Sequence, residues 1–370
     1  MEHTRRTWAT VDLTAAKENI IKIRKIVGHG CSITSVVKAD AYGHGAVEIS
    51  RTIEDFTDCF AVSNIDEAVQ LRDGGIKKPV LILGYTPPHS MKLLADYGIT
   101  QTVFSFDYGE MLASSARTAG KIIKAHIKID TGMNRLGFSA QNDDDLSLSI
   151  RQIKDLNKEK GLEFEGIFTH FAVADETDSP FTRLQFDRFM KCVFELEKEG
   201  IKFRYRHAAN SAAILNYPEM KLDMVRPGLI LYGITTNRPD KIGLKPVMEL
   251  KTTVSFVHKL KKGDSVSYGQ TYVAEKDMTI ATLPIGYADG LFRALSKKLT
   301  VMINGEEAPV IGRICMDQCM VDVTGLDVKT EDEVTVFGSG KSVYELSDAI
   351  DTIPYEIICD IGKRVPRVYK

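Results

Sequence analysis

Long apolar runs are missing from this chain: nowhere do about 18 apolar residues follow one another, the length a membrane-spanning helix needs. The opening MEHTRRTWATVDL carries charge but none of the apolar stretch of a secretory leader, so the chain reads as soluble and unprocessed, with no membrane partner. An excess of one charge is missing too. Against 50 acidic residues stand 48 basic ones, a net charge of −2, which gives no overall field to draw the protein to nucleic acid or an anionic surface. A small molecule is the better partner. Cysteines are few, six in 370 residues; the one close pair, Cys315 and Cys319, is spaced C-x-x-x-C, and five of the six lie in apolar runs. They read as reduced core thiols, which places the chain in the cytoplasm and leaves neither a disulfide framework nor a metal site. With only 12 prolines and 28 glycines, collagen-like and disordered chains are excluded, and 44% apolar residues suffice for one large or two medium cores.

What is present is alternation. From residue 12 to about 233, amphipathic stretches such as Thr14 to Ile26, Ile65 to Asp73, Tyr108 to Thr118 and Pro180 to Lys198 separate short β-branched runs. The runs are Ile33 to Val37, Phe60 to Ser63, Val80 to Gly84, Gln101 to Phe104, Ala125 to Ile129, Gly166 to Thr169, Arg206 to Ala208 and Met224 to Arg226. Eight strand–helix units in about 220 residues predict an α/β fold, an N-terminal (β/α)8 TIM-type barrel. After about residue 240 the pattern becomes alternating apolar and polar residues, at Thr253 to His258, Thr279 to Leu283, Leu299 to Ile303 and Glu333 to Phe337, punctuated by KKGD, INGEE and GSGKS. This predicts a C-terminal mostly β domain. The boundary falls within TTNRPDKIGLK, giving a barrel domain over 1–238 and a β domain over 239–370.

Barrel enzymes place their working groups at the C-terminal ends of the strands and in the loops that follow. The first expected strand ends in VVKADAYGHG, which puts Lys38 at its end and Tyr42, Gly43 and Gly45 in the turn beyond. A lysine there is costly to bury charged, and desolvation that lowers its pKa suits an amine destined for a Schiff base; a solvated strand-end lysine is the plain alternative. HIKIDTGMNRLGF contributes Lys128, Asp130 and Arg135, FTHF contributes His170, RHAANSAAI contributes His207, Asn210 and Ser211, and VRPGLILYG contributes Arg226, Gly228 and Leu229. Taken singly these are as easily structural, and Arg226 could simply pair with Asp223. Small and hydroxyl-bearing residues after strands 7 and 8 fit an anion cup of main-chain N–H groups. A strand-end lysine together with such a cup points to pyridoxal phosphate.

At these residues the whole chain resembles the bacterial alanine racemases, fold-type III enzymes that use pyridoxal phosphate. VVKADAYGHG, HIKIDTGMNRLGF, THFAVADE, HAANSA, VRPGLILYG, SVSYGQTY, IGYADG and GRICMDQCMVDV match that family's motifs in order and spacing. The resemblance implies racemisation of L- and D-alanine, supplying D-alanine for peptidoglycan, in a homodimer with shared active sites. It makes Lys38 the cofactor lysine and the base on one face of the amino-acid substrate, and Tyr268 the base on the other face, reaching into the partner's barrel. It sets Arg226 against the pyridine nitrogen with His170 beside it. It gives the phosphate to Tyr42, Ser211, Gly228 and Leu229, with Asn210 among the cofactor contacts. Arg135 would meet the cofactor's phenolic oxygen, with Lys128, carbamylated in some members, orienting it. Tyr287, Met316 and Asp317 of the partner would line the entrance and, with Arg135, meet the substrate.

Two bases on opposite faces are what racemisation needs, since the α-proton leaves one side and another arrives on the other. A phenol serving as base requires positive charge nearby. One departure stands near the C-terminus: CDIGKRVPRVY places Lys363 where some family members have a tyrosine near the substrate pocket, which leaves a serine or broad-specificity racemase as the alternative. A fold-type III decarboxylase would set an acid, not Arg226, against the pyridine nitrogen; a noncatalytic cofactor carrier would lack the second domain and its tyrosine. GSGKS lacks the spacing of a nucleotide loop and reads as a turn. NDDDLSLS reads as a helix start and Glu195 to Lys198 as a mixed-charge helix face.

Overall fold

The short β-branched runs become strands buried on both faces, as parallel sheets require. The structure, a computed structural model, describes residues 6–236 and 242–370. After β1 (Thr7–Val11) come β2 (Ser32–Val36), β3 (Cys59–Val62), β4 (Val80–Ile82), β5 (Thr100–Val103) and β6 (Ile123–Asp130). They are followed by the two-residue β7 (Phe138–Ser139), then β8 (Leu162–Phe168), β9 (Tyr205–His207) and β10 (Met224–Val225). The order β10-β2-β3-β4-β5-β6-β8-β9 is parallel throughout, and β7 pairs only with β6. The seam between β9 and β10 is stitched by main-chain bonds outside the ladder: Asp223 N–H donates to the Arg206 carbonyl (3.1 Å) and Arg226 N–H to that of Ala209 (2.9 Å). The result is the expected eight-stranded barrel, with a strand at each of the eight runs.

Helices cover it for local reasons. Asn64 caps the helix Ile65–Asp73 by accepting from Glu67 N–H, and Asn142 caps Asp143–Leu156 by accepting from Asp145 N–H, so the acidic NDDD run is a helix start. Ile65, Ala68 and Leu71 form the buried stripe of the first of these. Burying Ile65 and Leu71 contributes about 1.5–3 kcal/mol each.

The chain divides into two compact units. One comprises Ala16–Ala41 and Ala46–Lys245; the other gathers the opening residues through Ala15, Tyr42–Gly45 and Pro246–Lys370. The expected boundary at 238/239 lies outside the described residues. The opening of the chain departs from that division: β1 is not a barrel strand. It pairs with residues of the second unit on both sides, antiparallel to β11 (Met248–Thr253) and parallel to a strand near the C-terminus. A five-residue run carries no local sign of a partner some 240 positions away, which is why alternation alone assigns it to the nearer unit.

The second unit continues with β12 (Phe256–Leu260), β13 (Ser265–Val266), β14 (Tyr272–Val273), β15 (Met278–Leu283) and β16 (Thr300–Ile303). It ends with β17 (Glu306–Ile311), β18 (Cys319–Asp322), β19 (Glu333–Phe337) and β20 (Arg367–Tyr369). Its main sheet runs β12-β15-β18-β17-β16-β19-β11-β1-β20, and β13 with β14 makes a separate two-stranded ribbon. The INGEE turn is a two-residue Asn-Gly hairpin, with Asn304 and Gly305 at φ 52° and 86°, the conformation that matches strand twist. GSGKS is a turn as well, leading into the helix Val343–Ala349 capped by Ser342. The run Thr253 to His258 is two strands rather than one, because Val254 bonds the 331–332 turn while Ser255 N–H already donates to Thr282 of the next partner.

Candidate active site

Polar residues collect inside the barrel because alternate positions of a strand share a face. In β6 that places His126, Lys128 and Asp130 together, all buried. Arg226, just past β10 and only 3% exposed, ties the loops after β8 and β9 to its own: its guanidinium donates to the carbonyls of Thr169 (2.8 Å) and Ala208 (3.0 Å). It also meets His207 Nδ1 at 2.8 Å and His170 Nδ1 at 3.4 Å. Its partners are all neutral, and burial alone draws its pKa down to about 9. Asp223 does not pair with it. That carboxylate takes Arg206 in a two-point bond instead (2.7 and 3.1 Å), at the other end of β10.

A relay of imidazoles follows from proton counting. Because Arg226 donates to His207 Nδ1, the neutral His207 ring carries its hydrogen on Nε2 and donates it to His126 Nδ1 at 2.9 Å. His126 is then protonated on Nε2. Burial, reinforced by the Arg226 charge, pushes the pKa of His126 down to about 3 and those of His207 and His170 well below the ordinary value. The His126 ring lies so close to Gly166 that a Cβ there would fall 2.5 Å from Nδ1.

His170 marks the electrostatic character of this mouth. After its own burial, the groups that disfavour its charge are Arg226, Lys128, Arg135 and Lys38. Lys128 is 6% exposed, has no hydrogen-bond or ion-pair partner among the described residues, and rests its Nζ 4.9 Å over the Phe168 ring. Desolvation, then Arg226, depresses its pKa strongly. Asp130, the nearest acid, accepts from the main-chain N–H groups of Gly132, Met133 and Asn134 and so shapes the loop that carries the exposed Arg135. Ser211 Oγ accepts from Gly228 N–H at 2.8 Å, and Asn210 caps the helix Ser211–Asn216. Leu229 starts the next helical turn.

Lys38 stands two residues past β2, and the backbone beyond it is unusual. Ala39, Asp40, Ala41 and Tyr42 all hold φ between 51° and 54°, a turn of left-handed helix without a glycine. Such residues cost about 1–2 kcal/mol each. Two carboxylates hold the turn: Glu67 accepts from Ala39 N–H (2.8 Å) and Asp40 accepts from Ala46 N–H (2.8 Å). Tyr42 itself is buried, its ring 5.8 Å from that of Tyr355, and burial raises its hydroxyl pKa far above the ordinary value. Gly43 follows at φ 82°, where a Cβ would strike the Ile358 carbonyl at 2.3 Å.

In the second unit Tyr268 crowns the turn between β13 and β14 and is 70% exposed. Ser267 (φ 66°) anchors this turn by donating to the Arg313 carbonyl at 2.7 Å. Tyr287 and Met316, both exposed, lie on loops pressed main chain to main chain: Tyr287 N–H donates to Cys315 and Ala288 N–H to Met316, and Gly286 has no room for a side chain. Asp317 is bonded by Arg364 (2.7 Å). Behind these loops Asp289 accepts from Arg6, Arg364 and Gly286 N–H; the bonds outweigh its burial and keep its pKa low. Asp289, Arg6, Arg364 and His126 are supporting residues that sequence reasoning missed. Among the described residues no group of His, Cys, Asp and Glu could hold a metal, and four of the six cysteines are buried thiols, with Cys315 partly buried and Cys359 exposed. Among the described residues no helix is long and apolar enough to cross a membrane.

Comparison with known proteins agrees with both halves. Residues 11–236 match the family described as alanine racemase, N-terminal domain, and residues 247–369 match alanine racemase, C-terminal domain. The alanine racemase of Desulforamulus reducens is 46% identical over 98% of both chains, and alanine racemase 1 of Clostridium acetobutylicum is 45% identical over 99% of this chain and 96% of its own. The solved alanine racemase of Clostridium difficile 630 in complex with cycloserine superposes with a TM-score of 0.92 at 38% identity, covering 100% of this chain and 96% of that one. The barrel, the β unit and these matches define an amino-acid racemase, and the chain belongs to the alanine racemase family. Its activity is the isomerisation of alanine between its L and D forms.

The buried imidazoles carry a pH dependence of stability. His126 stays neutral in the folded protein down to about pH 3 but titrates near 6.5 once unfolded. The unfolded chain therefore binds more protons, and stability falls as pH drops through that window by roughly 1.4 kcal/mol per pH unit for each such histidine. Denaturant midpoints measured from pH 7 down to pH 5 should decline, and His126→Gln should make the decline shallower by one proton. A parallel decline in the variant would remove His126 from the account.

Proposed function

We propose that racemisation takes place at the C-terminal mouth of the barrel, with pyridoxal phosphate as cofactor, Lys38 as base on one face of the substrate and Tyr268 of a second copy of the chain as base on the other. The observation that carries this reading is the gathering of Lys38, Lys128, Arg135 and Arg226 around His170, an excess of positive charge suited to a ligand bearing phosphate and carboxylate. The residues fit the cofactor. Arg226 has donors left after its carbonyl and imidazole bonds and no acidic partner among the described residues, which suits a neutral acceptor such as a pyridine nitrogen. Ser211, with the main chain of Gly228 and Leu229, would hold the phosphate beside the Asn210 cap, and Tyr42 would add its hydroxyl. Arg135 would meet the phenolic oxygen.

When bound, the cofactor supplies an electron sink that makes the α-hydrogen of an attached amino acid acidic. The remaining work belongs to the chain. Lys38 takes or returns the α-proton at its Nζ, and Tyr268 does so at its hydroxyl from the opposite side. Arg226, charged at neutral pH, would donate to the pyridine nitrogen without giving it a full proton, which would keep the sink weak and disfavour proton return at the cofactor. An acid there would do the reverse, and that difference disfavours the decarboxylase reading. Burial and the neighbouring Arg226 disfavour the charged form of Lys128, which favours capture of carbon dioxide by its amine, and as a carbamate it would orient Arg135. Tyr287, Met316 and Asp317 would line the entrance; with its carboxylate taken by Arg364, Asp317 offers a substrate its main chain. Since Tyr268 is to serve a second copy, the working unit is a homodimer, placed in the cytoplasm and supplying D-alanine for peptidoglycan.

The test is an absorbance spectrum of the purified protein followed by chiral analysis after incubation with L-alanine. A band near ~420 nm that borohydride abolishes, with D-alanine accumulating, is the expected result. Turnover without any such band would undo the assignment of Lys38.

A further inference from the structure

The opposite mouth of the barrel, where the strands begin, is not closed. All eight strands contribute residues from their beginnings to a cavity of about 790 Å3 whose walls include Leu81, Ile99, Ile123 and Tyr205. Charges stand among these apolar walls, and half of them are already committed. Asp58 pairs with Arg24, Lys124 pairs with Glu165, and Arg72 donates to the carbonyls of Ile76, Lys78 and Tyr97. Left over are Lys77, Lys78 and Arg204 against Glu163, none with an ion-pair partner among the described residues, and the balance is positive. One further wall residue is His126, 3% exposed, whose Nε2–H has no acceptor among the described residues once its Nδ1 is taken by His207. An imidazole donor in the wall of a cationic, apolar-walled cavity is open to an acceptor brought by a ligand.

We propose that this N-terminal mouth is a second binding site, for a small organic anion with an apolar body, and that its occupancy reaches Arg226 through His126 and His207. The anion's charge is met by Arg204, Lys77 and Lys78, its body lies on the apolar walls, and one of its oxygens accepts from His126 Nε2–H. A filled site makes His126 a stronger acceptor for His207, which in turn draws more on the hydrogen that Arg226 donates. The hydrogen-bond chain is continuous: 2.9 Å between the two imidazoles and 2.8 Å from His207 to Arg226. The second half of the proposal rests on Arg226 serving the reaction as proposed above; the first half does not.

Benzoate is the probe. The holoenzyme is labelled with carbon-13 at the histidine Cε1 positions, and the His126 signal is identified by its loss in His126→Gln. Saturable displacement of that signal by benzoate, weakened at least five-fold in Arg204→Gln, is the expected result. In steady-state assays benzoate should lower kcat several-fold at saturating alanine, an effect absent from Arg204→Gln, whereas occupation of the catalytic mouth would raise KM alone. A His126 signal that does not move, or that moves identically in Arg204→Gln, overturns the site while leaving the racemase assignment untouched. A displaced signal with kcat unchanged overturns the coupling to Arg226.

Discussion

Lys38→Ala will abolish racemisation in both directions, by at least about 10³-fold, and will remove the borohydride-sensitive band together with it. Both losses have one cause, because the same amine is assigned the covalent hold on the cofactor and the proton on one face. The protein should stay folded, since Glu67 and Asp40 hold the left-handed turn beyond Lys38. Circular dichroism and the thermal midpoint check this. Retention of the band in Lys38→Ala would move the attachment to another lysine, with Lys128 the first to examine.

Tyr268→Phe should separate the two faces. Racemisation falls by about 10²–10⁴-fold, the usual worth of a positioned acid or base, while the ~420 nm band remains. Equilibrium requires both directions to fall together, so the informative readout is exchange of the α-hydrogen with deuterated water. The enantiomer whose α-hydrogen faces Lys38 should keep exchanging; the other should not. Equal loss of exchange from both enantiomers would make Tyr268 a structural residue. The two variants also test the shared site. Mixed and reassociated, Lys38→Ala and Tyr268→Phe chains form hybrid dimers with one complete site, so two inactive proteins should together recover up to about a quarter of the native activity. No recovery, with hybrids shown to form, would place both bases in one chain.

The ends of barrel strands were the most legible part of this sequence. Lys38, His170, Ser211 and Arg226 all follow apolar runs, and a polar residue just past a buried strand has few places to go. His126 was legible in principle, since His126, Lys128 and Asp130 sit at alternate positions of one strand and must share a face. The turn Ala39–Tyr42 was not. Alanine, aspartate and tyrosine all prefer right-handed conformations, and only Gly43 and Gly45 beyond them hint at positive φ. Asp289 was hidden for a different reason. It is bonded by Arg6 and Arg364, 283 and 75 positions away, and no local pattern encodes partners brought together by the sheet. The pairing of β1 belongs with it.

That pairing sets an order of events during synthesis. Most barrel strands find their neighbours within a few dozen residues, so the barrel can form as the chain emerges. β1 cannot join in: Thr7 waits for Thr252, and Ala9 waits for Arg367. At ordinary translation rates this is a wait on the order of tens of seconds. Throughout it a strand whose five residues are all buried in the finished sheet is exposed, with both hydrogen-bonding edges open. β1 is thus among the last of these strands to be sheltered, and during synthesis it stays adhesive far longer than the barrel strands that follow it.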